Sequence, residues 1–551
     1  MQDVRKYGSF VAVGAVVILI PVILFGIIGN NSDRNPVSLL LSNIIKNQDN
    51  GTTQQQQQQQ QLENEDIFLR GAVDANSEGK QISEKLRRHL CGSSILPETT
   101  EFIQEFQIPF ICAQPVGLAT DSQGKVWVAS TWTGHLLVFD PASERFVKTI
   151  HIPDWKTKSD FGSMVWGMEF DKSGNLWFSD QVNNAIWRYF VQEERFEMYK
   201  VPTVRSYPSQ IGFDSSGRVW FSEIFGKKLG VIDPSKAENN STKGIKEYEI
   251  NQFEFKTMGP VTVSSKNNNN SVWFTTVSYP EGGNISRFDM DTEEFTFYEL
   301  PKEAGVPVGI VEDRDGRLWV NDHASNLFFM FNPTTRDFAK YSTSLPTSRE
   351  NTTTLPYWNL IKDNRVWFNE HEGNAIAYFD IENMTLIEYQ IPTRGEIWGN
   401  TSNPLKFDLD NRGSAWFTEW TENKIGKLDS GKLGKLPLWL SVSKDKVELD
   451  TQSLRGDQLE ILVHPNRTDL EKPVTMTVAS SVSHSGRLWN MTGDFSESEF
   501  SFVEGRNEDD PYSVTLWLEP SKDLQPGNYT VTIGARYDSV TYNKVIDMTV
   551  R

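Results

Sequence analysis

Seven tryptophans stand at one place in a repeated pattern: Trp127, Trp177, Trp220, Trp273, Trp319, Trp367 and Trp416. Successive members lie between 43 and 53 residues apart. Self-similarity at such a period restricts a chain to architectures in which equivalent units stack on one another. Five repeats place Asp-x-x-Gly ahead of the Trp: Asp121/Gly124, Asp171/Gly174, Asp214/Gly217, Asp313/Gly316 and Asp410/Gly413. Asp opens a tight turn and Gly takes its positive-φ position. The fourth repeat has Lys266 and a run of asparagines there, and the sixth has Lys362-Asp363-Asn364-Arg365.

After the Trp comes a short apolar run, as in Trp177-Phe178-Ser179-Asp180 and Trp416-Phe417-Thr418-Glu419. Four repeats then carry an Asn seven residues beyond the Trp: Asn184, Asn326, Asn374 and Asn423. Units close on an aliphatic residue followed by Pro, as at Ile152-Pro153, Val201-Pro202, Leu300-Pro301, Leu345-Pro346 and Ile391-Pro392. Each unit reads as four short antiparallel strands, and four strands per ~45 residues is the signature of a β-propeller blade. Repeat seven lacks its closing strand, while Phe102 to Pro109 is such a strand with no blade before it. The pattern predicts that residues 102–109 pair with the strand around Ile425 to Leu428. That would close the ring and hide two sheet edges.

The flanks read differently. Phe10 to Ile28 is an unbroken run of apolar, Gly or Pro residues preceded by Arg5 and Lys6. It is long enough to span a bilayer as a helix, with the N-terminus cytoplasmic and the rest of the chain extracytoplasmic. A cleaved signal peptide is the competing reading. Residues 30–101, with glutamines from Gln54 to Gln61, read as a low-complexity stalk. Twelve Asn-x-Ser/Thr sequons, from Asn30 to Asn528, fit an exported and glycosylated surface. Residues 437–551 carry alternating strands that predict an immunoglobulin-like β-sandwich. The expected fold class is therefore all-β: an N-terminal transmembrane helix at 1–29, a seven-bladed propeller over 102–430, then the sandwich. Cys91 and Cys112, both outside the cytoplasm on this topology, are expected to pair. A net charge of −19 excludes nucleic acid as a partner.

Pro115-Val116-Gly117-Leu118, the Asp-x-x-Gly-x-Val/Leu-Trp turns, Trp-Phe-Thr-Glu, and Asn423-Lys424-Ile425-Gly426-Lys427-Leu428-Asp429 resemble the blades of the virginiamycin B lyase family, the streptogramin lyases. The resemblance covers about residues 102–430. It implies a seven-bladed propeller that opens a cyclic depsipeptide lactone by Mg²⁺-assisted elimination. In that family, catalytic His residues sit in the Pro-His loops that begin the last two blades. A Glu precedes the last such Pro, and a Tyr stands at the matching point of blade one. Here those places hold Tyr357, Leu405, Asn403 and Val116. An elimination needs a base beside the carbonyl, and Leu405 cannot be one. The resemblance thus implies the fold more firmly than the reaction.

Loops leading into the blades and the ends of second strands share one face of a propeller. The first group offers Trp166, Gln210, Tyr357, Trp358, Asn359 and Asn403 as ligand-binding candidates. The second offers Asp180, Glu223, Asp322, His323, Glu370, His371, Glu372 and Glu419. His323 and His371, each four residues past a blade Trp in adjacent blades, should be neighbours. Asp322, His323, Glu370 and His371 are candidate ligands for Mg²⁺ or another divalent cation. Tyr357, His323 and His371 are the catalytic candidates. The plainer reading of the recurrent acid is that it fixes the following turn. The aromatic set Trp132, Trp166, Tyr357, Trp358, Trp398 and Trp420 lines a mouth or packs blades together. Two functions follow. One is a membrane-anchored recognition module for a small-molecule, peptide or glycan ligand, which the missing His residues favour. The other is a divergent metal-dependent lyase or lactonase with its site at the propeller mouth.

Overall fold

A computed structural model describes residues 96–110, 113–155, 164–264, 270–278, 282–348, 351–395, 400–503 and 509–551. The expected anchor and most of the stalk, Cys91, Cys112 and Trp398 lie outside the described residues. Among the described residues, no helix is long and apolar enough to cross a membrane. The chain there is β throughout apart from one turn of 3-10 helix at Ser430–Lys432.

The Asp-x-x-Gly turn does more than reverse the chain. Asp313 accepts the backbone N–H groups of Asp315 and Arg317 with one oxygen, and the Trp319 indole N–H at 3.0 Å with the other. The same Asp–indole bond recurs at Trp127, Trp177, Trp220 and Trp416. Gly316 holds φ +80, which an L-residue adopts only with strain. The turn thereby satisfies an indole that would otherwise be buried without a partner. Asp313→Ala should cost ~1–3 kcal/mol, read as a lower denaturant midpoint with an unchanged slope.

Each blade has four antiparallel strands, and those of repeat six run on into a nine-stranded sheet. The inner strand of each blade contacts that of the next, and that of blade seven contacts that of blade one, so seven blades close a ring. Blade seven consists of Pro404–Leu409, Ala415–Glu419 and Lys424–Leu428, completed by Ile103–Gln107. The register runs from Ile103 opposite Leu428 to Gln107 opposite Lys424, the pairing that the unattached Ile-Pro strand predicts.

The recurrent Asn stitches blades together. Asn374 Nδ2 donates to the carbonyls of Ile391 and Thr393, and its oxygen accepts the Ser402 N–H of the next blade. Asn184 does the same with Val201, Thr203 and Ser206. Asn423 does so across the ring closure with Phe110 and Ala113.

A second device explains the residues after the closing Pro. In blades three, six and seven a Glu of the outer strand clasps a Thr or Ser at the end of the preceding blade. Glu247 accepts the Thr203 N–H and hydroxyl, Glu388 those of Ser344, and Glu105 those of Thr393. Each clasp faces the Glu that ends its own second strand: Glu223, Glu370 and Glu419. Two carboxyls in one apolar site need a cation. Lys228 supplies it in blade three and Lys424 in blade seven, at 3.0 and 3.1 Å from Glu247 and Glu105. In blade six the matching residue is Ala375, opposite Glu370.

The C-terminal region provides the missing charge. It packs two sheets around one apolar cluster that includes Leu459, Ile461, Val514 and Leu516 of one sheet and Val474, Ile533 and Ile546 of the other. It is joined to the ring by strand pairing. Its last strand, Val540–Val550, pairs antiparallel with the outer strand of blade six, Thr385–Gln390. Arg536 of the neighbouring strand acts electrostatically on both Glu388 and Glu370. The outer strand of blade one, Arg145–His151, alternates exposed and half-buried residues, whereas in blade six Leu386, Ile387, Glu388 and Tyr389 are all buried. A blade edge with two apolar faces is an edge awaiting a strand.

Candidate functional site

Inner strands determine the mouth. In six blades the inner strand carries a bulge close to where it opposes the end of the second strand: after Pro115, Pro208, Met258, Val308, Pro356 and Pro404. A bulge leaves residues out of the ladder and re-aims their side chains. Those residues and their equivalents line a single cavity: Trp166, Ser209, Gln210, Pro260, Val308, Gly309, Tyr357, Trp358 and Lys406. Its empty volume is about 280 Å³, part of it open to solvent. Backbone strain gathers here too. Tyr207, Leu355 and Asn403, each immediately before the inner-strand Pro, hold φ of 57, 50 and 52. Such angles are costly for bulky residues and persist only where the surroundings over-determine them. Gly309 is required, because a Cβ would lie 2.3 Å from the Tyr357 carbonyl oxygen.

Of the ligand-binding candidates, Trp166, Gln210, Tyr357 and Trp358 meet in this cavity. Asn359 lies beside it, donating to the Trp319 carbonyl at 3.0 Å. Asn403 donates to Thr421 Oγ1 at 3.1 Å. Trp132 and Trp420 are buried elsewhere. His323 and His371 are neighbours as expected, with Nδ1 of His371 3.4 Å from Nε2 of His323 and rings stacked at 5.2 Å. The Tyr357 ring packs 4.6 Å from His323 and 6.0 Å from Trp166. Burial lowers both histidines, His371 to about 4, so the pair is neutral at pH 7. Burial pushes the Tyr357 hydroxyl well above its usual range, the opposite of what a general base requires.

The four candidate metal ligands do not converge. Successive strand residues point to opposite faces. Asp322 therefore turns away from His323 and accepts the N–H groups of Gly305 and Val306 and the Ser325 hydroxyl. Glu370 turns to Glu388 and Arg536. Among the described residues, no three His, Cys, Asp or Glu side chains come together to hold a metal ion. A divalent cation does not fit the set Asp322, His323, Glu370 and His371, and no step is derived through one.

The recurrent acids divide in two. Asp180 accepts the Asn183 N–H and the Trp187 indole at 3.0 Å, holding the following turn as its plainer reading has it. The Glu members are buried carboxyls. Burial first, and Glu247 second, push Glu223 up to about 8. The folded chain then keeps a proton that the unfolded chain releases near its ordinary value. This group's contribution to stability therefore falls as pH rises from about 4.5 through about 8. The stability of the native chain relative to Glu223→Gln should decline over that window in urea titrations at stepped pH.

Sequence reasoning missed the charged centre of the site. Lys406, two residues after Pro404, crosses the ring from blade seven to donate to Gln210 Oε1 of blade three at 2.9 Å. Its Nζ lies over the Trp358 ring, 2.8 Å from the centroid. Burial lowers Lys406 well below the usual lysine range, against the pull of Glu169 and Asp408. Asp408 accepts the Thr120 N–H and hydroxyl, each at 2.8 Å. Glu169 lies on the inner strand of blade two and keeps accessible surface. Desolvation and then Asp408 push its carboxyl up to about 7, with Lys406 opposing. The available signal was a Lys where the equivalent residues are Gly117, Gly167 and Gly309.

A ring of four-stranded blades whose bulged inner strands converge on one cavity defines a propeller of the lyase-like class. The chain belongs to the virginiamycin B lyase family, whose model matches residues 101–397, from the closing strand through blade six. Solved structures similar to it include a streptogramin B lyase, at 24% identity, covering 60% of this chain and 97% of that one with TM-score 0.49. Virginiamycin B lyase from Staphylococcus aureus is similar at 22% identity, covering 59% and 98% with TM-score 0.48. The extracellular domain of a putative one-component system from B. thetaiotaomicron is similar at 16% identity, covering 84% and 58% with TM-score 0.44. No curated protein sequence matches significantly.

Proposed function

We propose that this chain is a recognition module, anchored in the cell membrane by residues 10–28 and holding its propeller outside, that binds a small-molecule, peptide or glycan ligand at the mouth. The carrying observation is the cavity itself: Trp166, Tyr357 and Trp358 present aromatic rings beside Gln210 and Lys406. Such a mixture of apolar faces and a few directed polar groups suits ligand capture. The neutral histidine pair and the raised Tyr357 hydroxyl support binding over base chemistry at that spot. The C-terminal region is read as an immunoglobulin-like sandwich. Its sheet orders support this, with Leu438–Val442, Asp457–Pro465, Tyr512–Pro520 and Met491–Phe495 side by side in one sheet, and Val540–Val550, Gly527–Tyr537 and Val474–Ser480 in the other.

The second reading, a divergent lyase or lactonase, gains from one observation. Glu169, pushed up to about 7, acts electrostatically on Lys406, and a group of that range suits acid–base work at neutral pH. Streptogramin B linearisation by the purified chain separates the two readings, and the recognition reading expects none. Trp166→Ala should weaken binding of any ligand that quenches tryptophan fluorescence by about tenfold, in line with the loss of one aromatic contact. Binding unchanged by that substitution would place the ligand elsewhere.

A further inference from the structure

We propose that Lys406 is a nucleophilic amine that forms a reversible imine with a small aromatic aldehyde or ketone entering the mouth cavity. The proposal rests on the reading of that cavity as a ligand site.

Position comes first. Lys406 lies in the bulge after Pro404, so its side chain leaves the ladder and runs to the cavity that it helps to line. It is 4% exposed. Gln210 Oε1 accepts one N–H at 2.9 Å and the Trp358 ring covers one side, which fixes the nitrogen in place. A lysine that only neutralised carboxylates would be expected to bond one of them, as Lys424 bonds Glu105 at 3.1 Å. Lys406 bonds a neutral amide instead. The walls include Trp166, Tyr357 and Trp358, aromatic faces against which a ring can stack, and the cavity opens to solvent. Burial favours the uncharged amine, the form that attacks carbonyl carbon.

The chemistry balances without a further reactant. Nζ adds to the carbonyl carbon, a C–N bond forms and the C=O π pair moves to oxygen. Protonation of that oxygen and loss of an N–H proton give a carbinolamine. Loss of its hydroxyl as water, with the second N–H proton, leaves the C=N bond. Water entering the open cavity takes the proton from nitrogen and supplies the one that leaves with the hydroxyl. Asp408 stays engaged by Thr120.

The test treats the full-length chain with benzaldehyde and sodium cyanoborohydride at pH 7, which reduces an imine to a stable benzylamine. Peptide mapping is expected to find Lys406 labelled about tenfold faster than the average surface lysine, as a larger neutral fraction dictates. Lys406→Arg should remove that fast phase with the melting temperature retained. Surface lysines labelled while Lys406 stays unmodified in the folded native chain would overturn the proposal. That map decides the matter even where Lys406→Arg does not fold. Benzyl alcohol, which cannot form an imine, separates chemistry from binding through tryptophan quenching. Quenching without labelling of Lys406 overturns the lysine chemistry alone, and neither quenching nor labelling removes the binding reading with it.

Discussion

A chain ended at Leu436 is expected to lose cooperative folding of the propeller, although all seven blades remain in it. Two losses add. The outer strand of blade six gives up its partner, Val540–Val550, and uncovers Leu386, Ile387 and Tyr389. Burying an apolar side chain of this size is worth about 1.5–3 kcal/mol, so their exposure alone removes several. The Glu370/Glu388 site also loses Arg536, because Ala375 offers no charge in its place. Stranding buried carboxyl charge costs about 3–5 kcal/mol. The combined loss approaches the whole stability of an ordinary domain. Thermal unfolding by circular dichroism should show a broad, early transition, with proteolysis beginning in blade six. A truncated chain melting within a few degrees of the full one would mean that the C-terminal sheets merely lean on the ring. Arg536→Met keeps the strand pairing and should show the electrostatic part alone.

Lys424→Met should be nearly as damaging from a single substitution. Lys424 and Glu105 are both fully buried, and they join the closing strand Ile103–Gln107 to blade seven. Removing the ammonium leaves Glu105 and Glu419 facing each other, at a cost of about 3–5 kcal/mol. Burial first, then Glu105, already pushes the Glu419 carboxyl well above its usual range. Without Lys424 that site can stay neutral only by taking up more protons, so the variant should be closer to native stability at pH 5 than at pH 8. Denaturant titrations at both pH values check this. An equal loss at each pH would show that the lysine acts through packing alone. Glu105→Gln combined with Lys424→Met should recover part of the loss, because the pair rather than either residue is what must balance.

Local chemistry made the blades legible. Asp-x-x-Gly turns, a Trp per repeat and Pro-terminated strands act within ~45 residues, so pattern alone predicts sheets, their number and the strand that closes the ring. The Asn seven residues past the Trp was visible as a repeat, but its purpose was not, since its partners lie in the next blade. Trp166, Gln210, Tyr357 and Trp358 were found because equivalent positions in equivalent blades must share a face. The same rule misled for Asp322 and Glu370, because the next residue along a strand points the other way.

Sequence by itself thus determined what depends on neighbours in the chain: the strands, the turns and the repeat that stacks them into a ring. Only the tertiary structure decided what depends on groups far apart in sequence. Lys406 reaches Gln210 from the far side of the ring. Arg536 supplies a charge that blade six lacks, and Val540–Val550 extends a blade to which it does not belong. A buried charge or an open edge is settled by whichever complementary group the fold brings near. Sequence distance carries no information about that group, whereas burial makes its absence costly.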